Sequence, residues 1–593
     1  MTAVEELTAL DRAIEAGTRR LLELQHPGGW WVGELESNAT MIAEHLFWLH
    51  FLRLRDRDTD RKLANELLAR RRDDGTWANW FEGPPDLSTT VESYVALRMA
   101  GVDPGRQTLD YIRREGGVAA SRVFTKCFLA LLDLWPWQRV PPVPPEIVLL
   151  PPGAPFSVYD LACWARQTVV PLSVVMALRP SRPAGVDLRE IGARAGRSRP
   201  PERPGPLRRR AIAAAERWVR ERQEADGGWG GIQPPWVWSI VMLAALGHGF
   251  EDEQLRRAVE GWGGFLVEQG DRLRPEACQS PVWDTALAVL GLRACGVPAD
   301  HPQLVRAGEW LLGEEVTVRG DWSVRVPDVQ PGGWAFEFAN DLYPDVDDTA
   351  VVCLALRELG MGSDAVERAL AWIDGMQSAN GGWGAFDVDN TSEWLYRIPF
   401  FDFGAVIDPP SEDVTAHALE ALAPVPRYAA AVERGLGYLL ASQQDDGSWW
   451  GRWGVNHVYG TAAALPALEA CGVPHDHPAV RRAVAWLDRV QQPDGAFGED
   501  IRSYHERAWR GRGRPTASQT AWGVLAYVAA GEATSGSARR AAEALCASQQ
   551  ADGDWREEHF TGTGFPTDFM IRYHLYRLHF PLIALGRLRE RLS

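Results

Sequence analysis

Apolar residues recur at helical spacing along almost the whole chain, and a short polar and aromatic pattern interrupts them at intervals. In segments 479–490 and 538–548, apolar residues lie three and four positions apart, which predicts amphipathic helices. The interruption that follows such a helix consists of Gln, three residues, Gly, one residue and Trp. Few segments alternate apolar and polar residues, so the predicted fold class is all-α.

We term the interrupting pattern the Gln–Gly–Trp repeat. Gly permits the tight turn after a helix, Trp supplies a large flat apolar surface, and the Gln amide can bond backbone groups at the end of a neighbouring helix. A spacing of roughly 50 residues indicates an array in which each helix pair is buried by its neighbours. The copies form an N-terminal and a C-terminal set, which predicts two α–α barrels. Complete copies are Gln25/Gly29/Trp31, Gln223/Gly227/Trp229, Gln377/Gly381/Trp383, Gln443/Gly447/Trp449 and Gln549/Gly553/Trp555, and degenerate copies are Arg71/Gly75/Trp77 and Gln491/Gly495/Phe497.

Segment 179–210 lies in the wide gap between the two sets of repeats. It is rich in Pro, Gly and Arg, a composition typical of flexible linkers. A basic loop on an acidic protein could also touch membrane phosphates. We predict the flexible, solvated loop.

Charge and cysteine content restrict the partners of the protein. The 593 residues are 46% hydrophobic, which predicts a globular protein of more than one domain. A net charge of −17 argues against a nucleic-acid partner. The seven cysteines never form a Cys-x-x-Cys pair, which predicts buried thiols in a reducing compartment. Residues 1–24 form an amphipathic pattern without a signal core, and no apolar stretch is long enough to span a bilayer, so a cytoplasmic protein is expected.

Asp345, Asp347 and Asp348 crowd three carboxylates into four positions, after an aromatic run and before an apolar one. Carboxylates this close repel one another, so at least one should keep its proton to a higher pH than an isolated Asp. Such an acid suits protonation of an alkene. Two other interpretations remain open at this point, because clustered Asp also binds Mg²⁺ or Ca²⁺ and is common at the start of a helix.

Several motifs together resemble those of the squalene–hopene cyclases, in the order of that family from about Leu10 to Arg587. They are the Gln–Gly–Trp repeats, the Asp-x-Asp-Asp motif, and the segments 410–417, 451–456 and 562–566. The resemblance implies a class II triterpene cyclase, which folds a linear isoprenoid, squalene by default, in an aromatic-lined cavity. The product is a polycyclic hopene or hopanol, formed without a metal or a redox cofactor.

The resemblance also implies an architecture and a location. One α–α barrel is inserted in the chain of the other. Residues 1–35 with 268–593 are predicted to form the catalytic barrel, and residues 36–267 the inserted barrel. Attachment to the cytoplasmic face of the membrane and a homodimer are typical of the family.

Five residues receive catalytic roles from the resemblance, and a sixth, Asp413, receives one from its spacing. Asp347 matches the proton donor, and His417 matches the histidine that hydrogen-bonds it. An alkene is a very weak base, so a charged His that stabilises the carboxylate left after donation makes chemical sense. The other predicted catalytic residues are the acidic flankers Asp345 and Asp348, Asp413, which lies one helical turn before His417 and could orient its ring, and Tyr459, which matches a tyrosine linked to the water chain that re-protonates the acid.

The cationic intermediates need stabilisation without a nucleophile, which aromatic faces provide. Residues that match the cavity wall of the family are Trp164, Trp283, Phe336, Phe386, Phe401, Phe403, Trp453, Phe565, Phe569, Tyr573 and Tyr576. Residues that match the region where the last cation is deprotonated or hydrated are Glu44, Glu92, Arg122, Ile232, Gln233 and Pro234.

The sequence also departs from the pattern of the family. Phe386 stands where the hopene cyclases carry a cavity tyrosine, so a hydroxyl is lost. Phe401 and Leu161 replace residues of the channel constriction, which changes how substrate enters. Glu34 and Glu36 lie in a stretch that is mostly apolar in the family.

Segment 179–210 lacks the apolar helix with which members dip into the membrane. We therefore expect weak or different membrane attachment, and a smaller or more polar isoprenoid is an alternative substrate. That substrate would be a shorter or functionalised prenyl chain, leading to a sesqui-, di- or meroterpenoid. Ionisation of a diphosphate by Mg²⁺ is disfavoured, because the chain has no Asp-Asp-x-x-Asp motif.

Two other classes of function would give different signatures. A prenyltransferase-like subunit would need a zinc set of Asp, Cys and His together with a basic diphosphate pocket. A non-catalytic helical scaffold would give the acidic cluster at 345–348 no purpose.

Overall fold

The computed structural model describes residues 3–194, 196, 198, 201 and 203–593. Helices dominate this part of the chain, which confirms the predicted all-α class. The helices are α1 (Ala3–Glu23), α2 (Thr40–Leu52), α3 (Arg57–Ala69), α4 (Leu87–Met99), α5 (Arg106–Arg114), α6 (Val123–Leu131), α7 (Cys163–Leu178), α8 (Pro206–Arg220), α9 (Gln233–Ala245), α10 (Glu253–Gly261), α11 (Pro281–Ala294), α12 (Pro302–Gly313), α13 (Val346–Leu359), α14 (Ser363–Gly375), α15 (Glu412–Leu422), α16 (Ala429–Ala441), α17 (His457–Ala470), α18 (Pro478–Val490), α19 (Ala517–Ala529), α20 (Gly536–Ser548) and α21 (Tyr576–Leu592).

The Gln–Gly–Trp repeat joins helices through the bonds that its residue types predict. In the repeat that begins at Gln443, the side-chain amide donates to the carbonyls of Gly447 (2.9 Å) and Ala479 (2.9 Å), the latter at the start of α18. The indole of Trp449 is fully buried and donates to the carbonyl of Leu439 (2.7 Å) in the preceding helix. Equivalent pairs of amide bonds are made by Gln25, Gln223, Gln377 and Gln549. The repeat therefore joins consecutive helical hairpins through hydrogen bonds.

Buried apolar residues form two large cores. One combines α1 with the helices from α11 to α21, and α1 contacts α11, α20 and α21 directly. The other lies between residues 39 and 273 and is completed by a few residues between 343 and 407. This distribution supports the division into residues 1–35 with 268–593 and residues 36–267, which we retain as a proposal.

The described residues include five short strands that the sequence did not predict, because none is long enough for an alternating pattern to stand out. They are β1 (Leu35–Glu36), β2 (Leu266–Gln269), β3 (Arg272–Pro275), β4 (Gly562–Phe565) and β5 (Phe569–Tyr573). An antiparallel sheet has the order β1-β5-β4, with Leu35 opposite Tyr573, and β2 pairs with β3. The β4–β5 hairpin carries aromatic residues of the site described below.

The prediction of a flexible loop over 179–210 is wrong for much of its described part. The N–H of Arg182 donates to the carbonyl of the last residue of α6 (2.8 Å), and Leu188 and Ile191 are buried. Helix α8 already begins at Pro206. High Pro and Arg content disfavours regular local structure, but it does not prevent tertiary contacts. Residues 195, 197, 199, 200 and 202 lie outside the described residues.

Across the described residues, no helix combines the length and the apolar character that crossing a bilayer requires.

Candidate active site

The aspartate motif begins α13, and a buried tryptophan fixes its position. The N–H of Asp345 donates to the carbonyl of Trp334 (3.0 Å), while the N–H of Trp334 donates to the hydroxyl of Thr349 (2.9 Å) in the first turn of α13. The side chain of Asp345 caps the helix, because it accepts from the N–H of Asp348 (2.8 Å). The interpretation of the cluster as a helix start is therefore correct for Asp345. It does not account for the middle residue of the motif.

Asp347 points away from this cap and bonds a histidine on another helix. Its Oδ1 lies 2.5 Å from Nδ1 of His417 on α15. Burial lowers the pKa of His417, but the charge of Asp347 and this hydrogen bond outweigh burial and raise it to about 9. Burial raises the pKa of both Asp345 and Asp348 well above the usual range. The middle aspartate thus faces an imidazolium, between flanking carboxyls that burial keeps neutral.

Asp413 does not orient the ring of His417, so that prediction is wrong. Its Oδ2 accepts from the backbone N–H groups of Arg452 (2.8 Å) and Trp453 (2.8 Å), and its Oδ1 accepts from the hydroxyl of Ser411 (2.6 Å). One-turn spacing places Asp413 on the helix face of His417, but both of its oxygens accept hydrogen bonds from other donors, Oδ1 from a hydroxyl and Oδ2 from two backbone N–H groups. Asp413 positions the segment that carries Trp453.

Asp347 lines a mostly apolar cavity, which we call the acid chamber. Trp283 Nε1 donates to the hydroxyl of Tyr576 (3.0 Å), and the rings of Tyr573 and Tyr576 stack with their centroids 4.2 Å apart. Aromatic faces arranged in this way stabilise cations. The predicted wall residues that line the acid chamber are Trp164, Trp283, Phe336, Phe386, Trp453, Phe565, Phe569, Tyr573 and Tyr576.

A second cavity, the far chamber, adjoins the acid chamber. The two chambers share the wall residues Trp164, Ile232, Pro234, Phe565 and Phe569. All of the residues predicted for the final step line the far chamber, together with Phe403. They are Glu44, Glu92, Arg122, Ile232, Gln233 and Pro234.

The polar end of the far chamber is a linked set of carboxyl groups. Gln233 Nε2 donates to Glu44 (2.7 Å), and the hydroxyl of Thr125 donates to Glu92. Burial raises the pKa of Glu92 to about 7, although the Thr125 bond and the charge of Arg122 lower it. Burial and the neighbouring Glu92 raise the pKa of Glu44 well above its usual range. The set can accept a proton or hold a water molecule near neutral pH.

Several predicted residues lie outside these two chambers, among them Phe401, Leu161, Asp413, His417 and Tyr459. Phe401 and Leu161 are buried but line neither chamber within the described chain, and the ring of Phe401 lies 5.9 Å from that of Phe403. Tyr459 lines a smaller cavity with His417 and Glu420. His417 therefore separates this smaller cavity from Asp347 and the acid chamber.

Polar residues that the sequence analysis missed also line the acid chamber. Gln167, Glu337 and Asn340 are buried in its wall. Glu337 directly follows the predicted Phe336, and Gln167 lies one helical turn after the predicted Trp164. The sequence signal that could have identified Gln167 and Glu337 is their position close to predicted wall residues.

Among the residues that the structure describes, one group of side chains has spacing that suits a metal ion. Ligand atoms of Glu34, Glu36 and His574 lie within 4.8 Å of one another. Arg274 already pairs with Glu34 (2.5 Å), and Arg70 pairs with Glu36 (2.8 Å). These arginines compete with a cation for the same oxygens, so we interpret the group as an ion-pair network where the chain passes between the two cores.

Family models for the N-terminal and the C-terminal domain of one protein family both match this chain. The squalene–hopene cyclase N-terminal domain matches residues 14–203 and 194–271, and the squalene–hopene cyclase C-terminal domain matches residues 279–590. The chain belongs to the squalene–hopene cyclase family. It is accordingly a class II terpene cyclase, which sets aside both the prenyltransferase-like subunit and the non-catalytic scaffold.

Curated relatives match the cyclase over almost their full length. The squalene–hopene cyclase of Alicyclobacillus acidocaldarius is 45% identical, over 98% of this chain and 97% of that protein. The squalene–hopene cyclase of Zymomonas mobilis is 39% identical, over 97% and 95%. A dammaradiene synthase of Dryopteris crassirhizoma is 38% identical, over 98% and 94%.

A solved structure supports the architecture of the cyclase. The ent-copalyl diphosphate synthase from Streptomyces platensis aligns with a TM-score of 0.53 and 18% identity, over 98% of this chain and 99% of that one. At this identity the likeness shows the fold alone. Together with the family match it confirms the predicted α–α barrels.

Proposed function

We propose that this cyclase converts squalene into a hopene-type polycyclic product by protonating a terminal double bond. Curated relatives named squalene–hopene cyclase match nearly the whole chain. The observation that carries the proposal is the position of Asp347. It is buried, it bonds His417, and it lines an apolar chamber rich in aromatic rings.

The chemistry follows from this arrangement. One carboxyl oxygen of Asp347 is engaged by His417, which leaves the other to carry the proton that is transferred to the alkene. The imidazolium of His417 stabilises the carboxylate that remains. The carbocation that forms then faces the rings of Trp283, Phe336 and Trp453, which stabilise positive charge without forming a bond to it.

We propose that the last cation of the cyclisation loses its charge in the far chamber, by deprotonation or by addition of water. Glu44 and Glu92 lie there beside Gln233. A buried carboxylate can remove a proton and give an alkene, whereas a water molecule held by the same groups can add and give an alcohol. Both outcomes return one proton to the enzyme or to solvent, so the overall reaction needs no redox partner.

The test is incubation of the purified enzyme with squalene, followed by extraction and gas chromatography–mass spectrometry. The wild type should give a pentacyclic product, and Asp347→Asn should give none above background. Asp328→Asn is a matched control, because Asp328 is exposed and lies outside both chambers. A pentacyclic product from Asp347→Asn at the wild-type rate would overturn the assignment of the acid.

A second candidate substrate is a shorter or functionalised prenyl chain. Phe386 lacks the hydroxyl expected at its position, and Gln167, Glu337 and Asn340 add polar groups to the wall of the acid chamber. A chamber that accepts only hydrocarbon gains nothing from buried polar side chains. Cyclisation of geranylgeraniol that depends on Asp347, without turnover of squalene, would establish this alternative.

We also propose that the cyclase attaches peripherally to the cytoplasmic face of the membrane. Segment 147–159 carries no charged residue, and its Phe156 is 58% exposed. Leu207, at the start of α8, is 61% exposed and is followed by three arginines. An apolar patch beside basic residues suits an anionic lipid surface. Carbonate washing should release the protein from membranes, and retention until detergent is added would contradict peripheral attachment.

A further inference from the structure

We propose that Gln167, Glu337 and Asn340 form a polar subsite in the wall of the acid chamber, and that this subsite binds a hydroxyl group. The inference rests on the proposed function, because it concerns the same chamber. It adds a ligand group that squalene does not have.

The three side chains converge from separate parts of the chain. Gln167 lies on α7, while Glu337 and Asn340 lie in the segment that leads to the aspartate motif. All three line the acid chamber, and their exposed fractions are 2%, 8% and 3%. Asn340 Nδ2 donates to Glu337 Oε2 (2.9 Å), so two of the three are fixed against each other.

Two adjacent glycines make room for the subsite. A Cβ on Gly230 would lie 2.5 Å from Nε2 of Gln167, and a Cβ on Gly231 would lie 2.5 Å from Oε1 of Glu337. Both glycines have φ of 61°, in the left-handed region that other residues rarely adopt. Gln167 and Glu337 therefore occupy neighbouring positions against the same stretch of backbone.

The subsite has hydrogen-bonding capacity that the protein does not use. Gln167 Oε1 and Asn340 Oδ1 are buried, and neither accepts a hydrogen bond from any residue in the described part of the chain. Buried polar atoms are almost always paired, because an unpaired one is destabilising. Two unpaired acceptors in the wall of one chamber indicate an occupant that donates hydrogen bonds.

The character of the wall selects a hydroxyl group as that occupant. Burial raises the pKa of Glu337 well above its usual range, so its carboxyl is neutral and can itself donate or accept. A diphosphate would find no cation in this subsite. A hydroxyl both donates and accepts, so it satisfies the amides of Gln167 and Asn340 in either orientation. It can belong to a prenyl alcohol or to a water molecule held in the chamber.

The experiment compares substrates that differ only in the O–H donor. The ratio of kcat/KM for geranylgeraniol to that for its methyl ether is measured in the wild type and in Gln167→Leu. We expect a ratio of about ten in the wild type, because a site built to bond a hydroxyl rejects the analogue that lacks the donor. The ratio should fall to about one in Gln167→Leu. Because both substrates meet the same enzyme preparation, loss of folded protein cancels.

A second arm tests the water molecule. Squalene is cyclised in water labelled with heavy oxygen, and the amount of labelled alcohol as a fraction of all cyclised products, the labelled fraction, is compared between the wild type, Gln167→Leu and Asn340→Ala. The subsite is assigned to water if two results occur together. The labelled fraction is lower in both variants than in the wild type, and the wild-type ratio of kcat/KM for geranylgeraniol to that for its methyl ether is near one. Gln550→Leu is the matched control, because Gln550 is exposed and remote from the chamber.

The two arms separate failure of the subsite from failure of the proposed function. The proposal of the subsite is overturned if the wild type cyclises squalene but neither readout depends on these residues. The two readouts are the ratio of kcat/KM for geranylgeraniol to that for its methyl ether, and the labelled fraction. If the wild type cyclises neither squalene nor geranylgeraniol, the proposed function itself fails.

Discussion

Replacement of His417 by Gln tests how the acid is activated. The rise in the pKa of His417 from 6.5 to about 9 corresponds to about 3 kcal/mol of net favourable interaction after the opposing effect of burial, most of it with Asp347 and the rest with Glu420 and Asp413. This free energy also stabilises the carboxylate that forms when Asp347 gives up its proton. If half to nearly all of that charge has developed in the transition state, His417→Gln should slow cyclisation by between about tenfold and about 200-fold.

The pH dependence gives an independent check. A raised pKa means that the ion pair contributes stability fully below pH 6.5 and loses it as the pH rises through about 9. The wild-type rate should therefore fall above about pH 9, and this fall should be absent in His417→Gln. Initial rates of squalene conversion in detergent, followed by gas chromatography from about pH 5 to about pH 10, measure both quantities.

Two results would refute this reasoning. One is a His417→Gln enzyme whose rate lies within about twofold of the wild type, since the interaction energy would then play no part in the proton transfer. The other is an alkaline fall in rate that persists unchanged in the variant, since another group would then be responsible. Circular dichroism of the variant checks that the loss of rate is not a loss of fold.

Three further predictions concern other parts of the molecule. The ratio of alkene to alcohol product should rise as the pH increases through about 7, since ionised Glu92 accepts a proton, and a ratio in Glu92→Gln with the same pH dependence would contradict this role. Arg166→Met should lower the free energy of unfolding by about 3–5 kcal/mol, because it leaves buried Asp387 without its partner, and adding Asp387→Asn should recover part of the loss in urea titrations. Trp449→Phe should cost about 1–3 kcal/mol in the same measurement, because a buried carbonyl loses its donor, whereas Trp450→Phe, at a less buried position, should cost less.

Prediction from sequence succeeded where the signal is local and repeated. The Gln–Gly–Trp repeats gave the helical class and the bonds of Gln443 and Trp449, because one hairpin geometry imposes the same residue types each time. The residues matched to the cavity wall were placed together by the fold, apart from Phe401. Asp347 and His417 are 70 positions apart and yet form a hydrogen bond of 2.5 Å.

Prediction failed where the outcome depends on competition among distant groups. Asp413 has the right spacing to orient His417, but its Oδ2 accepts hydrogen bonds from the backbone N–H groups of Arg452 and Trp453 instead. Segment 179–210 has a linker-like composition, but part of it packs on the end of α6. Composition and spacing describe neighbours along the chain, and neither reports which groups meet across the fold.

The sequence by itself determined the helical array, the acidic motif and the family, because these depend on residue types at short, fixed spacings. Only the tertiary structure decided which carboxyl groups are kept neutral by burial. It also decided which oxygen of Asp347 faces the imidazolium, and which polar side chains line the acid chamber. Burial and electrostatic environment come from the whole packed molecule. The pairing of Asp347 with His417 and the unpaired acceptors of Gln167 and Asn340 therefore become visible only when the helices are assembled.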